Sequence, residues 1–204
     1  MIIYANPTFY VFLSTLAAFV LLILTVFSVP MVSTSYFLHS SQANGVSFGM
    51  WGWCLDEGDV CSPLQLGYTW EPEIAIPITK AFVFYPIAAV FTFLTMISML
   101  PVLWVRTERS DKVFQVFAWI SFAFSSLAFL FTIGMWGVAK SKFEKRGFSA
   151  TYGNLTWMSL AATLLLLVVA ISPYFIALPP KQPSRRRHTR RNDTEARPRR
   201  KTLA

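Results

Sequence analysis

The chain is 204 residues long, 54% hydrophobic and 16% aromatic, and only 14% of it is charged, against about 25% in ordinary globular proteins. That leaves more apolar surface than a water-soluble fold can hide, and two cysteines exclude a disulfide-dense scaffold or a four-cysteine zinc site. The net charge of +8 belongs to residues 181–204, which hold ten Lys/Arg and two acids, whereas residues 1–180 are neutral with eight of each sign.

Four uncharged stretches are long enough to cross a bilayer: Phe9–Val29, Ala81–Val105, Val113–Ala139 and Leu155–Leu178. A span needs about 20 apolar residues to cover roughly 30 Å of hydrocarbon. Four such runs, filling about half the chain, argue against buried core helices of a soluble protein. The first run differs from a cleaved signal peptide, because Met1–Thr8 carries no positive residue and the 21-residue run exceeds a signal core of about 7–15. The third would reach about 40 Å as a straight helix, so it must tilt or project into water. Ala118, Ser121, Ser125, Ala128, Gly134 and Gly137 offer small contact residues along it, and Pro86, Pro101 and Pro173 predict kinks in the second and fourth spans.

Between the first two spans, residues 30–80 form the longest loop, and it reads as β structure. Met31–Ser40 is rich in β-branched and aromatic residues, Asn44-Gly45 is a turn dipeptide, and Val46–Cys54 is again strand-like. Within that second strand Trp51 and Trp53 lie two apart, which predicts a shared face, seated at the lipid–water interface or on the helix ends. Gly49 and Gly52 would permit close backbone approach. Glu57-Gly58-Asp59 marks a second turn, between Cys54 and Cys61. Six intervening residues do not make a redox-active Cys-X-X-Cys motif, so a structural disulfide is expected, stabilising the loop by about 2.5 kcal/mol.

An even number of spans places both termini on one side. With the termini inside, cytoplasmic segments hold thirteen Lys/Arg (Arg106, Arg109, Lys112 and the tail) against five outside (Lys80, Lys140, Lys142, Lys145 and Arg146). The third loop, with four basic residues, runs against that trend but is outvoted. The cysteine loop then faces the oxidising side, where a disulfide persists. The tail, residues 181–204, reads as disordered and as a cytoplasmic clamp on the anionic inner leaflet, through Arg185, Arg186, Arg187, Arg190 and Arg191, at about 1 kcal/mol per basic residue. An anchor of four spans makes a nucleic-acid partner a poor reading. Phosphate on Thr189, which follows two arginines, would loosen the clamp.

Little catalytic chemistry is legible. The spans hold no ionisable residue, which argues against transport by this chain alone, and Gln115 lies near the end of its span. His39 has no nucleophile motif beside it. Asp56, Glu57, Asp59, Glu71 and Glu73 offer oxygen ligands to a cation, but a solvated acidic turn is the plainer reading. No cofactor is expected. The glycosylation triplets at Asn154 and Asn192 are expected to stay unused, one for closeness to the membrane and the other for lying inside.

The run Phe48-Gly49-Met50-Trp51-Gly52-Trp53-Cys54, followed by Cys61-Ser62 and Leu66-Gly67-Tyr68, resembles the first outer loop of claudin-like proteins. Within that superfamily it looks most like the fungal PalI group, with the cortical-patch four-span proteins close behind. The resemblance marks Gly49, Trp51, Gly52, Trp53, Gly67 and Tyr68 as motif residues beside Cys54 and Cys61. It implies a left-handed four-helix transmembrane bundle capped by a small extracellular antiparallel sheet. It also implies a non-enzymatic plasma-membrane protein that assists, positions or regulates another integral membrane protein, as PalI-like proteins do in ambient-pH signalling. The rivals are a self-associating membrane-domain or cell-contact organiser and an auxiliary subunit of a large membrane enzyme or pump. If the role is pH sensing, His39 beside the acids of the loop would titrate in the useful range. The tail is shorter than in typical PalI proteins.

Overall fold

In hydrocarbon every backbone N–H and C=O must be satisfied within the protein, so the uncharged runs become helices. The computed structural model describes residues 7–57, 60–70, 79–104 and 108–175. Four helices emerge: α1 (Pro7–Val26), α2 (Phe84–Trp104), α3 (Glu108–Lys145) and α4 (Asn154–Phe175). Each is long and apolar enough to cross a membrane. They pack as a ring in which α1 lies against α2 and α4, and α3 lies against the same two. Outward positions such as Leu13, Leu24, Val90, Leu130 and Val168 are exposed and apolar, as a lipid-facing surface requires.

Hydroxyls inside the bundle are paired. Thr15, Thr25, Thr95 and Thr132 donate to the carbonyl four residues back. Between helices, Tyr85 bonds Thr132 at 2.8 Å and Thr92 bonds Ser121 at 2.6 Å, joining α2 to α3. Ser125 bonds Thr163 at 2.8 Å, joining α3 to α4. The small residues Ala118, Ser121, Ser125 and Ala128 are buried along these seams. Gly134 is not among them: it is exposed, and a side chain there would meet nothing within 4 Å. Pro101 and Pro173 lie inside their helices, but Pro86 falls in the first turn of α2, where proline is tolerated.

The third helix runs well beyond its apolar stretch. It has 38 residues, about 57 Å at 1.5 Å each, so the projecting alternative applies. Its last turns carry charge outward while turning Phe143 into the core.

At that end of the bundle sits a four-stranded antiparallel sheet of three-residue strands: β1 (Leu38–Ser40), β2 (Val46–Phe48), β3 (Trp53–Leu55) and β4 (Ala150–Tyr152). The order is β3-β2-β1-β4. Three expectations are corrected here. Most of Met31–Ser40 is irregular, with turn bonds from Met31 N–H to Ser28 and Ser35 N–H to Val32. Val46–Cys54 is two strands, because Gly49 N–H donates to Gly52 C=O at 2.8 Å and turns the chain back. Trp51 lies in that turn, so Trp51 and Trp53 share no strand face. The β1–β2 turn has Asn44 at φ 64° and Gly45 at φ 116°, the positive values its dipeptide predicts.

Leu38 and Ser40 are buried while His39 between them faces outward, so the sheet lays one face on the helices. Phe37, Phe48, Phe82, Trp136 and Phe143 form the aromatic plug between sheet and bundle, with ring centroids 5.4–6.3 Å apart. At these separations each pair adds about 0.5–1.5 kcal/mol beyond its buried area. The Trp136 indole N–H is buried with no hydrogen-bond partner among the described residues.

Candidate functional site

The Gly/Trp motif sits where α1 ends. A helix leaves its last carbonyls without intrahelical partners, and here a side chain takes one: Trp51 Nε1 donates to Val26 C=O at 2.8 Å. The next turn is fixed by Ser28, whose hydroxyl accepts Met50 N–H at 2.8 Å. Gly49 lies directly on the Val29 backbone, closer than any Cβ could come. Gly52 makes the same kind of approach to the Ser62 hydroxyl, which in turn accepts Trp53 N–H at 3.0 Å. Gly49 is therefore required by its contact with backbone, whereas at Gly52 the obstacle is a side-chain hydroxyl.

Cys54 and Cys61 are disulfide-bonded, and the segment after Cys61 folds back under the motif. Ser62 N–H donates to Trp53 C=O and Gln65 N–H to Trp51 C=O. Gly67, at φ 86°, turns the chain so that Tyr68 enters the core. Its hydroxyl donates to Gly49 C=O at 2.7 Å, and burial pushes the phenol well above its ordinary pKa. Thr79, just before α2, donates to Tyr68 C=O at 3.2 Å. Trp53 packs edge-on to Trp70 at 4.8 Å, and Trp70 donates to Gln42 at 2.9 Å. The motif thus clamps the disulfide loop to the end of α1 and to the start of α2.

On the outer face, register places His39 opposite Ser47 and Ser47 opposite Cys54. His39 Nε2 lies 2.7 Å from Asp56 Oδ2, while Ser47 donates to Asp56 Oδ1 at 3.3 Å. Both members of the pair are partly exposed. Asn44 donates to Glu57 at 3.0 Å. Among the described residues no group of three or more His, Cys, Asp or Glu is placed to hold a metal ion. Asp59, Glu71 and Glu73 lie outside the described residues, as do Arg185, Arg186, Arg187, Thr189, Arg190, Arg191 and Asn192.

Sequence reasoning missed the third loop's contribution. β4 pairs with β1, and Gly153 lies against the Tyr36 carbonyl where no Cβ fits. Asn154, the first residue of α4, donates through Nδ2 to Thr34 C=O and accepts Tyr36 N–H. Asn is a common residue at helix starts, so Gly153-Asn154 carried a signal, though not for this partner.

The sequence profile of the SUR7/PalI family matches residues 7–169, from α1 into α4. The chain belongs to the SUR7/PalI family. Its four spans, small antiparallel sheet and bonded cysteines form the claudin-like architecture of that family. Among relatives it is 25% identical over 186 residues to "pH-response regulator palI/RIM9 homolog 1" of Kluyveromyces lactis, covering 82% of this chain and 76% of the relative. It is also 40% identical over 48 residues to "pH-response regulator palI/RIM9 homolog 2" of the same organism, covering 24% of this chain and 21% of that one.

Proposed function

We propose that this SUR7/PalI protein is a non-enzymatic, multi-pass plasma-membrane component of the response to ambient pH, and that it acts by contacting another integral membrane protein. The observation that carries this is the similarity along 82% of the chain to a protein named as a pH-response regulator. The charge balance of the loops and the disulfide both favour cytoplasmic termini with the sheet outside. In that orientation His39 and Asp56 meet the medium.

The contact surface we favour is the exposed apolar set Met31, Val32, Val60 and Leu64 on the loop. Their segments meet around Gly52, whose neighbours are Pro30 and Ser62. Apolar side chains exposed together on an anchored loop suit a protein partner.

The test is the response of cells to a step in external pH. Cells lacking the chain should fail to respond, and wild type should restore them while Leu64→Asp with Val60→Asp does not. An unchanged response in the deletion would refute the role. Restoration by the double variant would refute the surface.

A further inference from the structure

A cleft of about 150 Å³ opens sideways between α3 and α4, just below β4. Its walls are Phe129 and Ile133 from α3, Tyr152 from β4, and Thr156, Trp157 and Leu160 from α4. Nearly all of that lining is apolar, and a space of this size, which holds a benzene ring in a dry protein interior, takes a short run of methylenes. Lys140 lies beside the cleft, over its Tyr152 wall. Its Nζ sits 5.1 Å from the centroid of the Tyr152 ring, and Glu144 Oε1 is 3.7 Å away. The tyrosine is thus both a wall of the cleft and the platform that holds an ammonium group over it.

The depth of this site fits one kind of occupant. Ala139 ends the uncharged run of α3 and Lys140 begins the charged turns, so Lys140 lies at the lipid–water boundary with the cleft on the hydrocarbon side. Trp157, 64% exposed beside the cleft, is the aromatic type that concentrates at that level. Between residues 140 and 146 four basic side chains face one acid. The Lys140–Glu144 pair is a partly exposed i,i+4 contact of little energetic weight, so an anion can displace it.

We propose that this cleft holds one acyl chain of an anionic phospholipid, with the lipid phosphate bound by Lys140. The site belongs to the leaflet at the sheet end, whichever way the chain is inserted, and it is independent of any role in pH response. Such a lipid would stiffen the junction of α3, β4 and α4.

The full chain, purified in mild detergent and stripped of lipid, is titrated with phosphatidylglycerol or phosphatidylcholine of identical acyl chains. Retained lipid is counted by native mass spectrometry. Wild type should hold one lipid and prefer phosphatidylglycerol by about fivefold, the effect of one basic residue near a headgroup. Lys140→Gln should abolish the preference and Lys140→Arg keep it. Ile133→Trp, which fills the cleft from an exposed position, should lower retention of both lipids by about tenfold, the loss expected from excluding about two methylenes. A lipid brominated on its acyl chain should quench wild-type fluorescence more than that of Trp157→Phe. Wild-type preference in Lys140→Gln, full retention in Ile133→Trp, or a second copy of the chain cross-linked across the cleft in bilayers would each overturn the proposal.

Discussion

Replacing Gly49 by alanine isolates the close approach on which the motif depends. An added Cβ would lie 2.7 Å from Val29 Cβ and 2.8 Å from its carbonyl carbon, and nearer still to its carbonyl oxygen. Overpacking of this kind costs about 1–3 kcal/mol, and the upper end applies because the obstacle is backbone. Relief by moving Gly49 would also stretch the hydrogen bond its carbonyl accepts from Tyr68, worth about 1 kcal/mol. The expected loss is therefore about 3 kcal/mol, or roughly 6–12 °C in Tm for a chain of this size. Gly134→Ala supplies the comparison, since the added methyl meets nothing within 4 Å in the interior of α3. Helix propensity there favours alanine by about 0.5–1 kcal/mol, so its Tm should rise by about 1–4 °C. Both variants are melted in the same detergent with the disulfide intact. If Gly49→Ala melts with wild type, or Gly134→Ala falls as far as Gly49→Ala, the contact argument fails.

The other expectations follow the same geometry. Tyr68→Phe leaves the Gly49 carbonyl unpaired and should cost about 1–3 kcal/mol in the same melt. Because burial raises the Tyr68 phenol, the unfolded chain ionises first: its contribution is intact below about pH 10 and declines as pH rises further, a decline that Tyr68→Phe should lack. Trp51→Phe removes the donor to Val26 and should cost about 1 kcal/mol, read as faster protease cleavage after α1. A double-mutant cycle of Ser125→Ala and Thr163→Val should give a coupling of about 0.6 kcal/mol, the average for hydrogen bonds between membrane helices, and a value near zero would remove this bond from the account of the seam.

The helices were readable because lipid imposes a length and forbids charge, and nothing else in the chain satisfies both demands. Their ends were less so. Residues 140–145 are polar apart from Phe143, yet α3 continues through them because Phe143 has an aromatic plug to join beneath the sheet. Strands of three residues are too short for alternation to declare itself. The run Val46–Cys54 concealed a reversal at Gly49–Gly52, where the glycines serve contact and turning together. β4 was invisible for a further reason: Ala150-Thr151-Tyr152 becomes a strand only by pairing with β1, more than 100 residues earlier. What each motif residue touches depends on partners such as Ser28, Ser62 and Thr79, which no local pattern marks.

The working face can be tested in intact cells by placing a photoreactive amino acid at Leu64, on the exposed loop, with Leu24 on the α1 surface as the reference position. Irradiation should join Leu64, and not Leu24, to a single different integral membrane protein, with a yield that changes when external pH is stepped. Adducts only between copies of this chain, or equal labelling from both positions at every pH, would contradict the central claim.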